Sequence, residues 1–383
     1  MRDKDPPLAG LDSQLVHLGL RPDPSTGAVT APIHLSTTFA RGGGDLVGDY
    51  VYSRHNNPNR HAVEVALAGI EGGAEAACFA SGCAAAHALI STLHHGDRIV
   101  VGHDMYFGIR SLLSRVAPRI GLELVEVDMT QSEALESVLA VPTALVMAES
   151  PTNPQLAVVD LEYVAALAHR AGAHFLVDNT MATSICQRPL DLGADFVLHA
   201  TTKYLGGHGD VLGGVLIAAA HNQRWAEVRE MQCDGGAVPS PFECWLLRRS
   251  LMTLSLRVER QVDNAESLAT TLTDHSMVDR LIYPGLPSHP NHAVVRRQMR
   301  RPGAMMGLLV AGGAEGARRF CSALQLALTA TSLGAVHTLV EHRKPVEGPD
   351  SNTPDNLVRV SVGIETLDDL KTDFVRALDQ LAS

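Results

Sequence analysis

Aromatic residues make up only 4% of this 383-residue chain, and no apolar run reaches the ~18 residues that a membrane-spanning helix requires. The opening stretch MRDKDPPLAGLDSQ lacks the apolar centre of a secretory signal. Six cysteines, at 78, 83, 186, 233, 244 and 321, form no C-x-x-C pair and no regular spacing, which indicates neither a zinc site nor a disulfide framework. Positive charge is also short: the formal net charge is −11, and the one basic cluster of note is Arg296, Arg297, Arg300 and Arg301. A nucleic-acid surface is therefore not expected. The eighteen histidines include His94 with His95 and His289 with His292, but neither pair has the carboxylate or cysteine company of a metal ligand set. No metal, no membrane and no nucleic acid is expected, and the expected location is the cytoplasm.

With 45% hydrophobic and 19% charged residues, the chain has the composition of a globular protein, and its length suits two domains. From 62 to 218, short apolar runs alternate with helical patterns. The candidate strands are 98–102, 122–127, 144–148, 174–177, 195–199 and 211–217, all continuously apolar as in a sheet covered on both faces. NPNRHAVEVALAGIEGG reads as a helix with Pro58 in its first turn and Gly72 and Gly73 at its end. After 240 the texture changes to a long helical stretch, Glu243 to Leu272, and then to short strands and helices. The chain closes on a strand through Val362 and a helix, capped by Thr366, that buries Leu367, Leu370, Phe374 and Leu378. The expected fold class is α/β: an extended N-terminal arm over 1–50, a large domain over 51–240 and a smaller C-terminal domain over 241–383.

Three features point to chemistry. Asp178 ends a buried apolar strand, where a carboxylate faces the ligand crevice of an α/β sheet; taken alone it reads equally as a helix N-cap. Twenty-five residues later, ATTKYLGGHGDVLGG places Lys203 beyond the next strand. A lysine amine can condense with an aldehyde cofactor, and a carboxylate beside a pyridine nitrogen keeps that ring protonated and electron-accepting. The cofactor that needs both is pyridoxal 5'-phosphate (PLP). Its phosphate needs a cradle of backbone N–H groups, and Ser81-Gly82-Cys83, between a short strand and an alanine-rich helix, offers one; alone, that triplet reads as well as a plain turn.

With these elements in place, the sequence from about 12 to 380 resembles the PLP-dependent Cys/Met metabolism (transsulfuration) family of cystathionine γ-synthases, γ- and β-lyases and methionine γ-lyases. The resemblance rests on YSRHNNPNR, SGCAA, DMYFG, ESPTNP, DNTMAT with TTKYLGGHGDVLGG, and LVRVSVGIE. It implies the aspartate-aminotransferase-like fold type I, with a mainly parallel central sheet flanked by helices. It further implies that Lys203 carries the cofactor and acts as base, that Asp178 partners the pyridinium, and that Gly82, Cys83 and Thr202 hold the phosphate. Tyr106 would stack on the ring and protonate the leaving group. Asn153 would lie near the cofactor's phenolic oxygen and the substrate, and Arg359 and Ser332 would hold the substrate. Tyr52 and Arg54 would reach the cofactor of a neighbouring subunit, in a homotetramer built from active dimers.

Two departures from the family pattern stand out. Ala200 occupies the usual serine position three before the lysine, leaving Thr202, with Thr201 as a possible substitute, to bind phosphate. In SLGAVHTLVEHRKPVEGPDSNTP, His337 stands where a glutamate is usual, in the region that shapes the pocket around the distal part of the substrate, where it would hold an anionic distal group when protonated or simply fill space, and the family's M-T-H element is missing. The expected activity is elimination of a β- or γ-substituent from an L-amino acid such as cystathionine, giving a thiol, ammonia and a 2-oxo acid. The alternatives are γ-replacement on an activated homoserine and a γ-lyase for another leaving group, non-sulfur included.

Overall fold

The structure, a computed structural model, describes residues 10–348 and 351–382; the first nine residues of the expected arm lie outside it. The described part of the arm contains a helix, Leu11–His17, and a two-stranded antiparallel ribbon of β1 (Arg41–Gly42) and β2 (Asp45–Leu46). The rest of the arm is largely exposed chain, tied down at few points. Arg248 donates to the carbonyls of Leu15, Val16 and Leu18 at 3.0, 3.2 and 2.6 Å, and Trp245 Nε1 donates to that of Ala31 at 2.9 Å.

Seven strands form the main sheet: β3 (Glu75–Phe79), β4 (Arg98–Gly102), β5 (Glu123–Val127), β6 (Leu145–Glu149), β7 (His174–Asp178), β8 (Phe196–His199) and β9 (Gly214–Ala218). Their spatial order is β3-β9-β8-β7-β6-β4-β5. Only β9 runs against its neighbours; the other pairs are parallel. Every residue of β6, β8 and β9 is buried, which explains why their sequences are apolar up to Glu149 at the end of β6 and His199 at the end of β8. The helix Pro58–Glu71 has Asn57 as its N-cap, accepting from the Asn59 N–H, and ends on Gly72 at φ 76°, a left-handed cap that suits glycine. The strand expected from 211 begins only at Gly214, because Gly213 is engaged with Thr202 in closing the loop after β8.

A second, smaller sheet has the order β10-β11-β14-β13-β12, built from β10 (Val278–Ile282), β11 (Met305–Val310), β12 (Leu328–Thr329), β13 (Leu339–His342) and β14 (Leu357–Ser361). Helices Leu254–Leu272 and Gly313–Ala323 pack on this sheet, and Leu367–Ala382 packs against both of them. The last buries Leu370, Phe374 and Leu378, each stabilising by roughly 1.5–3 kcal/mol, while Leu367 is only half-buried.

The long helix expected from 243 to 272 is two helices, Pro241–Leu251 and Leu254–Leu272. The buried Arg257 accounts for the break: it donates to the Ser250 carbonyl at 3.0 Å, satisfying an acceptor freed at the end of the first helix. It also donates to the Tyr204 carbonyl at 2.8 Å, tying the break to the loop after β8. The division expected at 240 assigns Pro241–Leu251 to the smaller unit, whereas this helix packs along Pro58–Glu71.

Candidate active site

The C-terminal ends of β6, β7 and β8 meet the second sheet at a cleft that takes its side chains from both. Asp178 is the last residue of β7, 7% exposed, with its carboxylate accepting the Thr180 N–H at 3.0 Å and the Thr180 hydroxyl at 2.5 Å. Burial raises its pKa, opposed by the two Thr180 bonds and by the charges of His199 and Lys203. Beyond β8, a turn carries Lys203 into the same cleft. Its Nζ donates to Ser332 Oγ at 2.9 Å, and burial, reinforced by the Arg359 charge, pulls the amine down to about 8.

The glycines around this lysine are demanded by packing. A Cβ on Gly207 would lie 2.0 Å from the Arg257 guanidinium, and one on Gly213 would lie 2.4 Å from Thr201 Oγ1. One on Gly214 would lie 2.3 Å from the Ser81 carbonyl oxygen, since β9 passes directly behind the turn that leads into the helix Gly82–Ile90. Ser81 caps that helix, accepting from the Ala84 N–H at 3.1 Å. Among the described residues the N–H groups of Gly82 and Cys83 have no acceptor, and they point the helix N-terminus at the cleft wall.

Arg359, in β14, is 4% exposed. It donates to Asn153 Oδ1 at 2.8 Å, the Ser332 carbonyl at 3.0 Å and Glu341 at 2.8 Å. Burial lowers its pKa to about 10, which leaves it fully charged at neutral pH. Ser332 therefore touches both functional groups, lysine through its hydroxyl and arginine through its carbonyl. It does so at φ 104°, a backbone conformation costly for any residue but glycine, of the kind that concentrates at functional sites. Tyr106 begins the helix Phe107–Ile120 with its N–H donated to Glu149 at 2.6 Å, its ring half-buried on the cleft and its pKa raised by burial.

Of the twelve residues singled out in the sequence, nine line this cleft: Gly82, Cys83, Tyr106, Asn153, Asp178, Thr202, Lys203, Ser332 and Arg359. Three do not. Tyr52 and Arg54 lie together outside it, the guanidinium 5.7 Å from the Tyr52 ring and bonded to the Cys233 carbonyl at 2.6 Å. His337 is held away from it because its neighbours are clamped elsewhere, Val336 N–H on the Gly207 carbonyl and Thr338 on Glu365. Arg343 and Val346 line the cleft instead. Thr201 is buried and lies off the lining, while the Thr202 hydroxyl is engaged with Gly213 at 3.0 Å.

Sequence reasoning missed Glu149, Glu341 and Arg343. Glu149 pairs in register with Asp178 across β6 and β7, and its carboxyl is pushed well up by burial and then by the Asp178 charge. The signal available for it was its place in ESPTNP, directly after an apolar strand. Glu341 and Arg343 offered none, since they matter only through the register of β13 on β14.

These groups fit PLP. A neutralisable buried amine, a carboxylate at the strand end, two free N–H groups at a helix start and a half-exposed tyrosine ring face one cleft. Position 200 also lies against the helix start: a Cβ on Gly82 would meet the Ala200 methyl at 3.1 Å, which puts a methyl where the family pattern has a hydroxyl.

The model of a family described as Cys/Met metabolism PLP-dependent enzyme matches residues 12–379. Cystathionine gamma-synthase of Mycobacterium tuberculosis (strain ATCC 25618 / H37Rv) is 42% identical over 378 residues, 97% of each chain. Cystathionine gamma-lyase of Dictyostelium discoideum is 40% identical over 379 residues, 97% of this chain and 98% of that one. The solved structure of a cystathionine gamma-lyase from Micromonospora echinospora superposes with a TM-score of 0.93 at 42% identity, covering 97% of this chain and 100% of the other. The chain belongs to the Cys/Met metabolism PLP-dependent enzymes and is a transsulfuration-type enzyme with pyridoxal 5'-phosphate as its cofactor.

Proposed function

We propose that this enzyme is a carbon–sulfur lyase that eliminates the β- or γ-substituent of an L-amino acid of the cystathionine type, releasing a thiol, ammonia and a 2-oxo acid. The observation that carries the reading is the bridge at Ser332. Its hydroxyl holds the Lys203 amine at 2.9 Å and its carbonyl holds Arg359 at 3.0 Å. An α-carboxylate on the Arg359 guanidinium thus places the adjoining Cα–H beside the lysine.

Bound PLP supplies the electron sink that makes the Cα–H acidic. Asp178, its carboxylate held by two hydrogen bonds from Thr180, would partner the ring nitrogen. Lys203, already depressed to about 8, takes the Cα proton as general base and, for γ-elimination, a second proton at Cβ. Arg359 offers the planar fork suited to a carboxylate, with Asn153 fixing its orientation at 2.8 Å. Tyr106, whose hydroxyl is held above the ordinary tyrosine range by burial, keeps the proton it gives to the leaving sulfur. The Gly82 and Cys83 N–H groups would hold the phosphate, with Thr202 lining the same cleft.

Tyr52 and Arg54 complete a neighbouring subunit's phosphate site. Their distance from their own cleft supports this, as does the partly exposed Tyr52 ring, 43% accessible. The working form is a cytoplasmic homotetramer of active dimers.

A γ-synthase reading stands beside the lyase one because relatives at 42% identity carry that name. A substrate panel on purified enzyme separates them. The lyase reading expects stoichiometric 2-oxo acid, ammonia and thiol from cystathionine alone. Formation of cystathionine from O-succinylhomoserine and cysteine, with no oxo acid from cystathionine, defeats it.

A further inference from the structure

Arg343 is a charged cleft residue that the reaction above leaves unused. It follows β13, whose Glu341 pairs with Arg359 of β14, and its own N–H continues the ladder to the Leu357 carbonyl at 2.9 Å. Strand alternation puts Glu341 and Arg343 on one face, so Arg343 is the diagonal neighbour of Arg359, with backbones about 7–8 Å apart. Its side chain is 3% exposed and lines the cleft with Val346.

The hydrogen-bond inventory of this guanidinium is incomplete. Of its five N–H donors, one Nη group bonds Glu341 and the other bonds Glu347, while Nε has no acceptor among the described residues. Glu341 offers the same oxygen, Oε2, to Arg343 and Arg359, so one carboxylate oxygen serves two guanidinium groups. A buried arginine left with unused donors at a cleft is a site for an oxygen that arrives with the ligand. Tyr106, the proposed acid for the leaving group, lines the same cleft as Arg343 and Arg359.

We propose that Arg343 is a specificity-determining residue that receives an anionic group on the substrate's side chain, selecting amino acids with a distal carboxylate over neutral ones of equal length. The inference rests on the reading that Arg359 anchors the α-carboxylate of an L-amino acid in this cleft. Both guanidinium groups reach the same Glu341 oxygen, so an α-carboxylate on Arg359 brings the substrate's side chain within reach of Arg343.

The test is equilibrium binding of two amino acids with the same carbon chain to the holoenzyme, L-2-aminoadipate, which ends in a carboxylate, and L-norleucine, which ends in a methyl group, read from the change in the cofactor's absorption band. Neither carries a leaving group, which separates recognition from elimination. The wild type is expected to bind aminoadipate at least ~10-fold more tightly, as a charge-assisted contact implies. The comparison variant is Arg343→Met combined with Glu347→Gln, which leaves no carboxylate stranded by loss of its partner; its melting temperature and cofactor content establish that it is folded. In this variant the preference should collapse to about 1, mainly through aminoadipate, because norleucine has nothing to lose at that position. Equal weakening of both ligands assigns Arg343 to positioning Glu341 and Arg359 and overturns the inference, as does an unchanged preference. Failure of both ligands to perturb the wild-type spectrum defeats the underlying amino-acid reading and the inference with it.

Discussion

Lys203 is one of only four lysines in the chain, and its chemistry is set by where the fold puts it. Burial removes solvation from the ammonium and the Arg359 charge opposes it, while Glu341 and Asp178 pull the other way; the balance leaves the amine at about 8, against 10.5 for the isolated group. Only the neutral amine is nucleophilic. Competitive acetylation of the cofactor-free enzyme, read by mass spectrometry on the peptide containing residue 203, should therefore rise with pH to a midpoint near 8. A midpoint near 10.5 means that the amine is solvated and that the cleft is not closed around it. The histidine singled out in the sequence shows the limit of reading one residue at a time. His337 differs from the family pattern, yet the clamp of Val336 and Thr338 on the Gly207 carbonyl and Glu365 holds it off the cleft, and no local sequence feature reports that clamp.

At the scale of elements, the turn after β8 and the start of the helix Gly82–Ile90 form one packed unit, with β9 pressed behind it. Gly214→Ala should be destabilising by about 1–3 kcal/mol, since its methyl would sit 2.3 Å from the Ser81 carbonyl oxygen and 2.6 Å from Gly82 Cα. Because those atoms begin the phosphate cradle, the variant should also release PLP on dialysis faster than the wild type. A lowered melting temperature with unchanged cofactor retention would separate packing from the cradle and contradict this account. The strands of the main sheet were legible because β6, β8 and β9 are buried throughout, which leaves their runs apolar up to the terminal Glu149 and His199. The break between Pro241–Leu251 and Leu254–Leu272 was not. The apolar pattern runs through it, and its cause, Arg257 reaching the Ser250 and Tyr204 carbonyls, is a tertiary contact. Glu341 and Arg343 were hidden for the same reason, their partners being set by strand register rather than by spacing along the chain.

At the scale of the whole molecule, the cleft joins an aspartate of the larger sheet and a lysine of the turn after β8 to an arginine of the smaller sheet, while Tyr52 and Arg54 lie outside its lining. If those two serve a neighbouring subunit, two inactive variants should repair each other. Lys203→Ala and Arg54→Ala proteins, mixed, unfolded and refolded together, should form mixed dimers with one site free of both changes, and recover part of the wild-type activity. No recovery, with mixed dimers present, would put Arg54 in the site of its own chain or outside any site. The account as a whole depends on the cofactor being held at one position. Borohydride reduction of the holoenzyme, followed by digestion and mass spectrometry, tests that directly. The predicted result is a phosphopyridoxyl group on Lys203 and on no other lysine; a label on Lys344 or Lys371, or no label on a protein that carries PLP, would contradict it.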